Sequence, residues 1–84
     1  MRLSRTQHHL LLAIAAGRFL KSHRDIEGRK VFRLHALDGS SQTVRRATVE
    51  ALGQRGLIDS NKKFPAATYW LTEAGQKVVS GRQP

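Results

Sequence analysis

Between Val31 and Leu37 the chain alternates, with Phe32, Leu34 and Ala36 on one phase and Arg33 and His35 on the other. A two-residue period marks a strand with one face buried and one face wet, and it excludes a purely helical bundle. Earlier in the chain, Leu10, Leu11, Ile14 and Ala15 recur at helical spacing. Ser4-Arg-Thr-Gln7 just before them fits a capping box, in which the Ser hydroxyl takes an orphan amide and the Gln side chain reaches back. Both periods in so short a chain predict the α+β class.

The chain has 84 residues, room for one domain over 1–84 with loose tails at about 1–3 and 81–84. It has no cysteine, which excludes disulfides, thiolate zinc sites and a thiol nucleophile and fits a reducing cytoplasm. The apolar run Leu10–Ala16 is far short of the roughly 20 residues that span a bilayer, so no membrane partner is expected. The positive stretch Met1–Arg5 ahead of this run superficially resembles a secretory leader. The lack of an acidic residue before Asp25 likewise fits an organelle transit segment. Gln7, His8 and His9 interrupt the leader pattern, and cleavage would remove the first helix, so the segment is read as helix. Charge is the unusual quantity. Fifteen Lys and Arg against six Asp and Glu give a formal +9, a field that attracts polyanions.

Gly17 is expected to close the first helix; the alternative is a helix continuing to Lys21 that buries Phe19 and Leu20. Arg18–His23 is the candidate partner strand of Val31–Leu37, with a turn over Asp25–Lys30. Asp38-Gly-Ser-Ser41 reads as a turn whose Ser40 or Ser41 caps a helix over Gln42–Arg55, ended by Gly56. Leu57 and Ile58 begin a strand, Asp59–Pro65 is a basic-tipped loop, and Ala67–Leu71 returns. Thr72 then caps a last helix carrying Val78 and Val79 inward. The expected order is helix, β-hairpin, helix, β-hairpin, helix.

On a helix over Gln42–Arg55, Val44, Ala47, Thr48, Ala51 and Leu52 share one side, and Gln42, Arg45, Arg46, Val49 and Gly53 the other. Arg can pair bidentately with guanine and Gln with adenine from a helix in the major groove, although any solvated helix face carries such residues. Further on come Arg55-Gly-Leu-Ile58, a loop with Lys62 and Lys63, and Tyr69-Trp-Leu-Thr-Glu-Ala-Gly75. Together these resemble the second half of the winged helix-turn-helix family, over half to two-thirds of the chain. The resemblance implies a small winged-helix-like domain with Thr43–Arg55 as recognition helix and Leu57–Leu71 as wing. It also implies duplex DNA binding, usually as a homodimer, which suits a bacterial or phage transcription regulator. The sequence departs from the family in leaving no room for the helix that normally precedes the recognition helix.

The expected nucleic-acid-binding residues are Gln42, Thr43, Arg45, Arg46, Val49, Lys62 and Lys63. The two lysines would contact phosphates or, equally, only solubilise a loop. Two other readings stand beside this one. One is a winged-helix-like module docking an acidic protein. The other is RNA or single-strand binding with Trp70 as a stacking platform, which needs Trp70 outside; a core Trp70 with Tyr69 outside is the slightly favoured arrangement. His8 and His9 point about 100° apart on a helix, and His23 and His35 could meet across a hairpin without further ligands, so no metal and no cofactor are expected. The six carboxylates are scattered, and no phosphate-cradling loop or nucleophile elbow is present; catalysis is not expected.

Overall fold

The alternating segment is the second strand of one five-stranded antiparallel sheet. The structure, a computed structural model, describes residues 2–63 and 66–81. Its elements are α1 (Arg5–Ala15), β1 (Phe19–Arg24), β2 (Lys30–His35), β3 (Ser41–Val44), α2 (Arg46–Gln54), β4 (Ile58–Ser60), β5 (Ala67–Leu71) and α3 (Glu73–Ser80). The strand order is β3-β2-β1-β5-β4. Among the described residues no helix is long and apolar enough to cross a membrane.

Local chemistry sets the boundaries. The capping box at Ser4 forms, with Gln7 N donating to Ser4 Oγ and Ser4 N to Gln7 Oε1, both at 3.1 Å. Gly17, at φ +103°, ends the helix as expected. In the β1–β2 turn Asp25 Oδ1 accepts from the amides of Glu27 (3.0 Å) and Arg29 (2.8 Å). In the β2–β3 turn Asp38 Oδ1 accepts from the amide and hydroxyl of Ser40. These hydrogen bonds favour the charged carboxylates, and both pKa values lie below the usual range.

Leu10 and Leu11 from α1, Leu20, Phe32 and Leu34 from the sheet, Val49 and Leu52 from α2, and Leu57 and Ile58 form the buried core. Val78 and Val79 of α3 pack against it. All three helices therefore lie on the sheet face that carries Leu20, Phe32 and Leu34, and the other face is left uncovered. Full burial of a leucine is worth about 2 kcal/mol, so the wholly buried Leu11, Leu20, Leu52 and Leu57 weld helices to sheet.

The winged-helix arrangement is not the one observed. Its wing should be a hairpin beside the recognition helix. Here β5 instead pairs with β1 through Leu20↔Tyr69 and Ser22↔Ala67, so both hairpins merge into one sheet. The place of the helix before the recognition helix is taken by the β2–β3 turn. The expected helix also begins four residues late. Gln42, Thr43 and Val44 pair with Leu34, Arg33 and Phe32 as β3, and the N-cap is Arg45 rather than a serine. Val44 sits four residues before Thr48, so it mimics a helical core position and pulls the inferred face toward Ala47 and Ala51. The buried residues of α2 are Thr48, Val49 and Leu52, and Ala47 is exposed.

Two smaller expectations also change. Residues 2–3 are tied down, since Leu3 packs on the core and the Arg2 carbonyl accepts from Arg55 Nη1. Tyr69 turns inward and meets Phe32 edge-on at 5.9 Å, while Trp70 is 44% exposed. Phe64 and Pro65 of the expected loop, Met1, and residues 82–84 of the expected tail lie outside the described residues.

Candidate nucleic-acid interface

The uncovered face of the sheet is built by the outward phase of its strands. One row crosses all five strands. Ser41 pairs with His35, His35 with Phe19, and Trp70 with Asp59, while the register Leu20↔Tyr69 carried one step puts Phe19 beside Trp70. The central strands β2, β1 and β5 thus bring His35, Phe19 and Trp70 to neighbouring positions of one row; the half-buried His35 ring packs edge-on against His23, and Trp70 also borders a groove with Ile14, Ala15 and Val79 of the helices. Phe19 is 48% exposed and Trp70 44% exposed, so neighbouring positions of this row carry two accessible aromatic side chains.

The next row holds Thr43, Arg33, Lys21 and Thr68. Arg33 is laid flat along the sheet, with Nη2 donating to Ser41 Oγ at 2.9 Å and Nη1 to Thr43 Oγ1 at 3.2 Å. Among the described residues, neither Arg33 nor Lys21 is ion-paired with a carboxylate. Asp59, the one acid on this face, is held by Lys62 at 3.1 Å. Among the described residues no carboxylate therefore offsets these two neighbouring basic side chains.

His23 lies beyond this row, and its Nε2 is 3.3 Å from His35 Nε2. Burial first, then the positive charge of His23, Lys21 and Arg33, lowers the His35 pKa, so its neutral form is favoured. Among the described residues no group of three or more His, Asp or Glu could hold a metal ion.

The expected site residues are dispersed. Gln42 and Thr43 lie on edge strand β3, and Thr43 joins the cationic row. Gln42, Thr43 and Arg45 come together with His9 and Arg18 along a groove between α1 and β3. Arg46 is spent on Glu50, bonded at 2.7 Å. Val49 is 3% exposed and belongs to the core, so it cannot reach a groove. Lys62 and Lys63 lie on the β4–β5 loop, with Lys62 bonded to Asp59. The outward side of α2 shows Arg46, Ala47, Glu50, Gly53 and Gln54, with Arg46 and Glu50 joined in an exposed ion pair.

Phe19, Lys21 and Arg33 were not singled out as site residues by sequence reasoning. Their signal was present in the alternation of β1, where Phe19 falls on the same phase as Lys21 and His23.

No family model matches the chain, and no curated protein or solved structure is significantly similar to it.

Proposed function

We propose that the protein binds single-stranded nucleic acid across the uncovered face of its sheet. The observation that carries this reading is the row His35–Phe19–Trp70 lying directly alongside the cations Arg33 and Lys21. Exposed rings stack on unpaired bases whatever their identity, and adjacent cations follow the phosphates. A duplex keeps its bases inside and offers such a flat platform nothing to stack on. The formal charge of +9 adds the long-range attraction. α2 supports a groove-reading role less well than the sheet face, because Val49 is buried and the Arg46 side chain is directed along the helix to Glu50.

Trp70 is the only tryptophan, so its fluorescence reports directly on stacking. Titration with single-stranded DNA or RNA should quench it, and duplex of the same length should quench it less and bind more weakly. Replacing Trp70 by Ala should weaken single-strand binding about 5- to 100-fold, the equivalent of about 1–3 kcal/mol per stacked base. Duplex binding stronger than single-strand binding, or affinity unchanged by Trp70→Ala, would refute the proposal. Absence of binding to any nucleic acid at low salt would favour an acidic protein partner instead.

A further inference from the structure

Strand β3 (Ser41–Val44) forms one edge of the sheet. Ala36 N donates to the Ser40 carbonyl at 2.8 Å, and from that pair the antiparallel ladder alternates. Gln42 and Val44 therefore exchange backbone hydrogen bonds with Leu34 and Phe32, while Ser41 and Thr43 turn their N–H and C=O groups to the open side. Natural sheet edges are blunted by charged side chains, proline or bulges. No residue of β3 is charged and none is proline. The opposite edge strand, β4, is three residues long and carries Asp59.

Beside this open edge, on the helix-bearing side of the sheet, a groove of about 640 Å³ runs between α1 and β3. It is apolar where an added strand would lay its side chains, with Leu34 and Val44 from the sheet and Leu12 and Ala13 from α1. Its two ends are basic. Arg45 follows Val44 directly, and Arg18 lies at the other end, beside the β2–β3 turn. Among the described residues no Asp or Glu lines the groove, and neither arginine forms a salt bridge. Arg18 acts on Asp38 only at longer range, and that carboxylate is bonded to Ser40.

We infer that β3 and this groove bind an extended acidic peptide segment of a partner protein, which adds to the sheet as a sixth strand. Its backbone bonds to Ser41 and Thr43, and its residues opposite Gln42 and Val44 turn apolar side chains into the groove. Carboxylates just outside those two positions meet Arg45 and Arg18. Charge decides between this occupant and a second copy of the chain. Antiparallel pairing of β3 with β3 would bring Arg45 of one copy to the Arg18 end of the other, cation against cation, between molecules of formal charge +9. The groove lies on the other side of the sheet from the aromatic row, so the inference does not rest on single-strand binding.

The test follows ¹H–¹⁵N correlation spectra and amide hydrogen exchange of the whole chain during titration with the end-blocked peptide Glu-Thr-Val-Thr-Val-Thr-Glu. In an extended conformation its two Val and two Glu share the groove-facing side. Saturable shifts should centre on Ser41–Arg45 and His9–Ala16. The Ser41 and Thr43 amides, open to water in the free protein, should exchange about tenfold more slowly or less when the peptide is bound. Arg45→Glu should weaken this peptide about fivefold or more and strengthen its counterpart with Lys at both ends. Thr43→Pro removes an amide that points away from β2, so it should abolish binding and keep the native spectral dispersion. If that variant loses its dispersion, the Arg45→Glu charge swap decides, and an unchanged preference between the two peptides overturns the inference. Trp70→Ala should leave the isotherm unchanged, so failure of this site is distinguishable from failure of the single-strand reading. Shifts that never saturate, shifts without slowed exchange at Ser41 and Thr43, or equal affinity of the parent for the Glu-ended and Lys-ended peptides would overturn the inference. Slowing of the same amides with rising protein concentration and no peptide, together with a dimer in sedimentation, would assign the edge to a second copy and overturn it as well.

Discussion

Gly53 and Gly75 both lie in helices, yet replacing each by alanine should move stability in opposite directions. A Cβ at Gly53 in α2 meets nothing within 4 Å. There alanine should stabilise by about 0.5–1 kcal/mol through the helix preference alone. A Cβ at Gly75 in α3 would lie 2.1 Å from the Leu57 carbonyl oxygen and 3.1 Å from its carbon. A carbon rests comfortably about 3.3 Å from an oxygen, so the first turn of α3 and Leu57 would have to part by about 1 Å. Two hydrogen bonds cross that joint. Thr72 Oγ1 donates to the Gly56 carbonyl at 2.5 Å, and Thr72 N donates to the Leu57 carbonyl at 3.1 Å. Losing them costs about 1 kcal/mol each, and the disturbed packing of Val78 and Val79 adds about 1–2 kcal/mol.

After subtracting the helix preference, Gly75→Ala should destabilise by about 2–3 kcal/mol, or about 10–20 °C in Tm for a domain of this size. Gly53→Ala should raise Tm by a few degrees. Thermal and urea unfolding followed by circular dichroism measure both. A Gly75→Ala protein melting at or above the parent temperature would show that α3 does not approach Leu57 as closely as described. The result bears on how the chain is read. Leu71-Thr72-x-x-Gly75, the segment that resembles a DNA-binding family, acts here as a joint. Thr72 caps α3 by accepting from Gly75 N and ties that helix to the end of α2.

Val49→Lys should destabilise by about 3 kcal/mol or more, because an unpaired cation would be forced among Leu10, Leu52 and Leu57; wild-type-like unfolding would mean that α2 is turned differently on the sheet. Lys21→Gln with Arg33→Gln should weaken single-strand binding and flatten its salt dependence, each neutralised phosphate contributing about 0.7 to the slope of log K against log salt. Arg45→Ala with Arg46→Ala should change both much less, and the reverse order in anisotropy titrations would return the interface to α2. His35 has a lowered pKa in the folded protein. Its contribution to stability is therefore complete above the ordinary value of 6.5 and is lost as pH falls through the folded-state pKa. His35→Gln should remove that part of the acid limb, and parallel stability profiles below pH 6.5 for parent and variant would contradict it.

What could be read from the sequence, and what could not, divides along a physical line. Signals carried by a few adjacent residues survive without tertiary context: the Ser4–Gln7 box, the stop at Gly17, the alternation Phe32/Leu34 and the Thr72 cap all appear where their local chemistry puts them. The register between distant strands is not local, and it decides the interface. Nothing near Ala67–Leu71 states that it pairs with Phe19–Arg24 and not only with its hairpin partner, yet that pairing sets Trp70 beside Phe19. The error at Gln42–Val44 has the same root. Thr43 and Val44 are good strand formers, but the residues that satisfy their backbone, Phe32 to His35, lie about ten positions away, whereas Thr48 supplies a helical echo four positions away. A short-range pattern therefore outweighed a long-range pairing, and the inferred face of α2 rotated until a core valine pointed outward. Once β3 is a strand, its turn with β2 brings Ser41 and Thr43 under the Arg33 guanidinium. The segment that looked like the start of a reading helix is then what holds flat the arginine of the sheet face, so the same residues enter the proposed interface by supporting Arg33 instead of touching bases themselves.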